Sequence, residues 1–361
     1  METKTPESLA LEPSLMPAPE KQQTARDRGL RVVAIGGGTG LSTLLSGLKR
    51  FVLSATELST RPDLPFIRDL SAVVTVSDDG GSSGRLRKEL NMLPPGDIRN
   101  CIVALSEDEA LLSKLFRHRF EKGSGLEGHS FGNLFLAALT SLTSDFSEAV
   151  RLSSEILLTR GHIYPATTSN IELEALMEDG TRVRGETKIT ASKGRIRELF
   201  LVPPDVGPMP QTLEAIAHAD MITIGPGSLF TSLIPNLLVR GIAQAIVESP
   251  ATKVYICNLM TQANESLGLT AADHIRALNR HAQKQIFDFA MINRTPASTE
   301  LQAKYALEGA CQIVNDLDAI EALGVIPVLG DYLDEGVVAR HNTTRVARDL
   351  MHLMAQRPQQ N

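Results

Sequence analysis

Residues 31–40 read RVVAIGGGTG, and the fold turns on how this stretch breaks. Val32, Val33 and Ile35 make an apolar, β-branched run that suits a short buried strand. Gly36, Gly37, Gly38 and Gly40 follow at once, with Thr39 among them. Glycine is a poor choice there unless the backbone must turn tightly or come close to something. Leu41, Leu44, Leu45 and Leu48 then recur at helical spacing, so the glycines feed a helix N-terminus. Free amides and the helix dipole at such a turn favour an anion, most often a phosphate. A tight strand-to-helix turn with no ligand is the alternative. The spacing matches neither the dinucleotide fingerprint G-x-G-x-x-G nor a Walker A loop, which would end in Gly-Lys-Ser/Thr.

The rest of the chain bounds the answer. Its 361 residues can bury a large core, and 42% hydrophobic and 22% charged content are ordinary globular values. A formal charge of -6 supplies no basic surplus to neutralise a nucleic-acid backbone. Cys101, Cys257 and Cys311 are odd in number and far apart, which fits a reducing cytoplasm and argues against a disulfide scaffold or a thiolate zinc site. Residues 1–29 carry Pro6, Pro13, Pro17 and Pro19 among scattered charges and are expected to be a flexible tail. Nothing reaches the roughly 20 apolar residues of a membrane span. A soluble cytoplasmic protein is expected.

Strand and helix patterns alternate through most of the sequence. Residues 72–76, 221–224, 254–257, 287–292 and 325–329 read as buried strands, and 145–158, 212–219 and 271–281 as amphipathic helices. The expected fold is α/β, a Rossmann-like, doubly wound, mostly parallel sheet spanning residues 30–361 as one domain. Residues 170–203 break the rhythm with apolar/polar alternation, and two or three antiparallel strands fit there. A small antiparallel β insertion is therefore placed at about 167–205.

Further polar loops fall at expected strand ends. Ser77, Asp78, Asp79 and Gly80 begin a loop rich in glycine and hydroxyls that should face the first glycine turn at the C-terminal sheet edge. Adjacent carboxylates there suit a hydrated Mg²⁺ or a ribose, or else a solvated turn. Asp97 opens a helix and is either its N-cap or a ligand residue, and Arg99 at the same helix start could clamp a phosphate. His129 precedes another helix as a candidate acid or donor, or simply a packed residue, and Asn133 could read a base or sugar edge. Gly225, Gly227 and Ser228 form a second strand-to-helix turn that repeats the anion-binding logic of the first. Asn258, Gln262 and Asn264 could bond a polar ligand rim, and Arg340 near the last helix could reach an anion.

Taken in order, GGGTG, VSDDGGSSGRLR, PPGDIRN, GHSFGNL, IGPGSLFTS and RHNT form a specific set. With it the chain, from about residue 31 to the last helix, resembles the bacterial gluconeogenesis factors, the YvcK-like morphogenesis proteins. It is more distantly similar to 2-phospho-L-lactate transferase. The nearer resemblance implies a cytoplasmic protein needed for cell shape and envelope synthesis on gluconeogenic carbon. It also implies binding of UDP-sugars such as UDP-N-acetylglucosamine. The distant one implies a Rossmann-like sheet with Mg²⁺ and a nucleotide diphosphate near the first glycine turn, and places Asp78 or Asp79 and Asp97 on carboxylate positions. Where the transferase pattern has Asp-Ile-Asp, this chain has Asp97-Ile98-Arg99, a cation in place of a carboxylate.

A UDP-sugar sensor acting through a protein partner in envelope synthesis is the favoured expectation, as a homo-oligomer that binds no nucleic acid. A Mg²⁺-dependent transferase with Asp79 and Asp97 on the metal is the alternative. An NAD(P)-dependent oxidoreductase is the weakest, because G-x-G-x-x-G is absent.

Overall fold

A computed structural model describes residues 29–53, 57, 66–107, 111–192, 194–263 and 265–356. The expected tail therefore lies outside the described residues but for Gly29, and so does Asn264.

The apolar run that opens the sequence is strand β1 (Leu30–Gly36), and the leucine-spaced segment after it is helix α1 (Gly38–Leu48). Strand β2 (Ile67–Val74) follows, then α2 (Gly81–Leu90), α3 (Gly96–Leu105), α4 (Leu111–Arg117), α5 (Phe131–Thr143) and α6 (Phe146–Ile156). Strand β3 (His162–Pro165) leads into β4 (Glu172–Met177), β5 (Arg182–Arg184), α7 (Glu186–Ala191) and β6 (Ile196–Val202). Next come α8 (Pro210–His218), β7 (Met221–Ile224), a π-helical turn (Leu229–Leu233), α9 (Ile234–Leu238) and α10 (Ile242–Glu248). The chain closes with β8 (Thr252–Ile256), α11 (Ala271–Ala282), β9 (Phe289–Asn293), α12 (Thr299–Ala306), α13 (Leu317–Glu321), β10 (Ile326–Gly330), β11 (Leu333–Asp334), β12 (Arg340–His341) and α14 (Thr343–Gln356).

Seven strands form one parallel sheet in the order β10-β9-β8-β7-β1-β2-β3, the Rossmann-like α/β arrangement expected from alternation. Its central strands are buried on both faces, which is why they read as continuous apolar runs rather than alternating ones: Val32, Val33, Ala34 and Ile35 are at most 2% exposed. A separate three-stranded antiparallel sheet, β5-β4-β6, occupies the stretch where the sequence alternates.

Two details depart from the sequence reading. Strand β2 starts at Ile67 rather than residue 72, because its first turns carry Arg68 and Asp69 on the partly exposed N-terminal sheet edge. Helix α7 stands inside the β insertion where only strands and turns are expected. Its start is capped from outside the segment, by Asp79, whose Oδ1 accepts the Thr187 amide at 2.9 Å. Among the described residues no single helix is long and apolar enough to cross a membrane. Leu229–Leu238 and Ile242–Glu248 pass together as a pair bent by 79°. Most of these residues are core, with Leu229, Leu233, Ile234 and Ile246 fully buried.

Candidate functional site

In the sheet order, β1 lies between β2 and β7. The chain leaving β1 crosses to β2, and β7 returns on the opposite side, so the two connections part at the C-terminal ends of β1 and β7. Ligands of open α/β sheets bind in the crevice that such a reversal opens. Both glycine turns sit there. Gly38 has φ +62°, a backbone conformation that side chains disfavour. A Cβ on Gly40 would stand 2.2 Å from the Pro226 carbonyl oxygen, so α1 starts directly against the second turn.

A cleft of about 940 Å³ opens at this point. Gly37, Gly38, Thr39 and Gly40 form its floor, and Gly227, Ser228, Asn258 and Arg340 line it as well. The amides of Thr39 and Gly40, in the first helical turn, have no carbonyl one turn earlier in the helix to bond. Arg340 is brought in by a strap that other groups hold in place. His341 Nε2 lies 3.0 Å from the Cys257 carbonyl oxygen, and burial pushes its pKa down to about 4, so the ring is neutral at ordinary pH. The Tyr305 hydroxyl accepts the Ala339 amide at 3.1 Å, and Lys304 donates to the Val337 carbonyl. Lys304, Tyr305 and Arg117 also line the cleft, and none of them stands in a motif that marks it in the sequence.

The carboxylates lie to one side of this cleft and are used by the protein. Asp97 is not the N-cap of α3. It lies in the first turn, and its Oδ2 accepts the Gly38 amide at 2.7 Å across 59 residues of sequence. Burial raises its pKa to about 6 against the effect of that hydrogen bond, and the Asp78 charge adds to the rise. Asp78 Oδ1 accepts the Gly80 amide at 2.9 Å. Asp79 caps α7 through both the amide and the hydroxyl of Thr187, at 2.9 and 2.5 Å. Asp79 and Asp97 thus serve different helix starts. The charge that faces Asp97 is Asp78, joined by Glu186, a residue no motif singles out. Burial, then the charges of Asp78, Asp97 and Asp79, raise the Glu186 pKa to about 8. Ser77 bonds Thr75, with 3.0 Å between their hydroxyl oxygens, and neither Ser77 nor Gly80 reaches the cleft wall.

The second glycine turn carries its own acceptor. Glu265 Oε1 accepts the Phe230 and Thr231 amides at 2.7 and 3.0 Å, so the start of the π-helical turn is filled from within. A protein carboxyl group thus takes the two amides at 230 and 231, while Gly227 and Ser228 themselves line the cleft. Asn258 clamps Gly227, accepting its amide at 3.2 Å and donating to its carbonyl at 2.8 Å, while Gln262 donates to the Ser228 hydroxyl at 2.9 Å. Gly225 has φ +90° and bonds Ile35, which places it in the joint between strands rather than on the cleft wall.

Three other sequence candidates fall behind that wall. Arg99 donates to the Ser130 hydroxyl at 2.6 Å and to Asn100 Oδ1 at 2.7 Å, and its stem packs where a side chain on Gly132 would be. Asn133 is buried and donates to the Ser82 hydroxyl at 3.1 Å. His129 Nδ1 lies 2.9 Å from the same hydroxyl, and burial, then the Arg85 charge, lowers its pKa, as in the packed reading of a lone histidine.

Comparison with known proteins agrees with the α/β fold. The family model described as 2-phospho-L-lactate transferase CofD matches residues 32–333. The chain is 49% identical to the gluconeogenesis factor of Halalkalibacterium halodurans over 322 residues, 89% of this chain and 95% of that one. It is 45% identical to the gluconeogenesis factor of Bacillus subtilis over 326 residues, 90% of this chain and 98% of the other. A crystal structure of a Bacillus halodurans protein, 47% identical, superposes with a TM-score of 0.83 over 91% of this chain and 100% of that one.

Proposed function

The chain belongs to the 2-phospho-L-lactate transferase CofD family and groups there with the gluconeogenesis factors, and from that membership we propose that it binds a UDP-sugar at the β1–β7 crevice. UDP-N-acetylglucosamine is the ligand of choice for the test. In this reading the protein is a cytoplasmic sensor that couples gluconeogenic carbon supply to cell shape and envelope synthesis through a protein partner. One observation carries it: Thr39 and Gly40, whose amides have no partner in the first turn of α1, line one cleft with Arg340, while Asp97 is engaged by the Gly38 amide and Asp79 caps α7. An anionic diphosphate suits such a wall, since backbone donors and a guanidinium fork both select phosphate oxygens. Calorimetry with UDP-N-acetylglucosamine, followed by recovery of the ligand after long incubation, tests both halves. Binding with intact ligand is expected; absence of heat at millimolar ligand overturns the reading.

Transfer of a phosphorylated group is the second reading, and the crowding of Asp78, Asp97 and Glu186 favours it. Asp97 accepts the Gly38 amide and Asp79 the Thr187 amide, each through one carboxylate oxygen. Among the described residues no group of three or more His, Cys, Asp or Glu could hold a metal ion, so Mg²⁺ here would take most of its contacts from the ligand's phosphates and water.

A further inference from the structure

The cleft has two ends, and the reading above uses one of them. Thr39, Gly40, Asn258 and Arg340 belong to the end over β1, β7 and β8. On the β2 side the wall is made by Asn100 of α3, Arg117 at the end of α4 and Thr190 of α7.

Arg117 stands in a basic neighbourhood. Burial pushes the Arg99 pKa down, and the charges of Arg119 and Arg117 push it the same way, while Asp97 and Asp78 act in opposition. Arg119 is fixed beside them, donating to the Gly128 carbonyl and pairing with Ser130, the residue whose hydroxyl accepts from Arg99. Arg117 and Arg119 therefore both lie within electrostatic reach of Arg99, which Asp97 and Asp78 face as well. Arg99 Nε is buried without a hydrogen-bond partner among the described residues. Asn100 accepts from Arg99 through Oδ1, which leaves its Nδ2 group as the donor it brings to the cleft wall. A guanidinium and an amide donor on one cleft wall select an anion with several acceptor oxygens. Space allows a second ligand too, since about 940 Å³ is at the top of the ~300–1,000 Å³ range of small-molecule sites.

We propose that the β2 end of the cleft is a second anion subsite, which takes the phosphate monoester of a small acceptor or effector molecule beside the nucleotide sugar. Arg117 and Asn100 make the direct contacts, and Arg99 and Arg119 supply the supporting positive field. The inference rests on the proposed UDP-sugar reading only for what fills the other end.

Inorganic phosphate is the probe, titrated calorimetrically into the free protein and into protein saturated with UDP-N-acetylglucosamine. Phosphate should bind in both, with affinities within about twofold of each other for the subsite. Arg117→Ala should weaken phosphate binding at least tenfold and change UDP-N-acetylglucosamine binding less than twofold, with Arg117→Lys in between. Arg340→Ala should do the reverse. Loss of the phosphate heat once the nucleotide sugar is bound would mean a single shared anion site and overturn the proposal. So would phosphate binding that Arg117→Ala leaves unchanged, or no phosphate binding at all. If UDP-N-acetylglucosamine itself fails to bind, the free-protein titration with Arg117→Ala still decides the subsite, so the two failures are separable.

Discussion

The Asp97 carboxylate accepts the Gly38 amide at 2.7 Å, so the first glycine turn starts its helix against a buried acid from the neighbouring α3. That contact fixes the turn's backbone, and the next two residues, Thr39 and Gly40, whose amides have no partner within the helix, lie on the wall of the cleft. It also explains why burying Asp97 is tolerated, since an amide donor at a helix N-terminus offsets part of the desolvation.

Removing that acceptor should be felt in both stability and binding. Asp97→Ala removes the partner of the half-buried Gly38 amide and should cost about 1 kcal/mol, read by urea unfolding. Asp97→Asn keeps an oxygen for the amide and should retain most of the stability and the UDP-sugar affinity, with or without Mg²⁺. Loss of affinity in Asp97→Asn only when Mg²⁺ is present would instead favour the transferase reading.

Gly40 is a steric requirement. A Cβ there would stand 2.2 Å from Pro226 O and 2.7 Å from Pro226 C, both backbone atoms with little freedom to yield. Gly40→Ala should force the two turns apart, costing roughly 1–3 kcal/mol and weakening UDP-sugar binding. Wild-type stability in this variant would show that the turns are not in contact in solution.

Glu265 should matter for the fold although it lies off every motif. Glu265→Ala strands two buried amides, of Phe230 and Thr231, and should destabilise by at least about 2 kcal/mol. Glu265→Gln retains an acceptor and should lose much less. Equal effects of the two variants would contradict the capping role.

Glu186 predicts a pH dependence with a definite sign. Its folded pKa of about 8 lies above the ordinary value of 4.5, so the folded state holds the proton more tightly than the unfolded chain. Stability from this group is therefore full below pH 4.5 and is lost as pH rises toward 8. Glu186→Gln mimics the protonated form. It should match the wild type near pH 4.5 and exceed it near pH 8.5, by on the order of 1–2 kcal/mol once solvent screening is allowed for. Thermal unfolding across that range checks it, and a gain that does not grow with pH would be evidence against the buried acid cluster.

Sequence periodicity is enough for the parallel sheet, because strands such as Met221–Ile224 are buried on both faces and carry nothing but apolar residues and a threonine. The glycine turns are legible for a related reason, since only glycine fits where Gly40 meets Pro226. What sequence alone does not reveal is which donors are already spoken for. Asp97 with Gly38, Asp79 with Thr187, and Glu265 with Phe230 are pairs separated by 59, 108 and 35 residues, formed only when the fold brings them together. Arg99 shows the same limit. It stands two residues from Asp97 in the chain, yet its guanidinium turns to Ser130 and Asn100, and it is Arg340 that lines the cleft.

The central claim is that Arg340 grips a diphosphate across the cleft from the Thr39 and Gly40 amides. It is tested most directly by titrating wild type and Arg340→Ala with UDP-N-acetylglucosamine and, in parallel, with uridine. Charge-assisted hydrogen bonds to phosphate are worth about 1.5–3 kcal/mol, so the variant should bind the nucleotide sugar roughly ten- to a hundredfold more weakly. Its affinity for uridine, which has no phosphate, should be unchanged. Equal losses for both ligands, or no loss for the nucleotide sugar, would contradict the account.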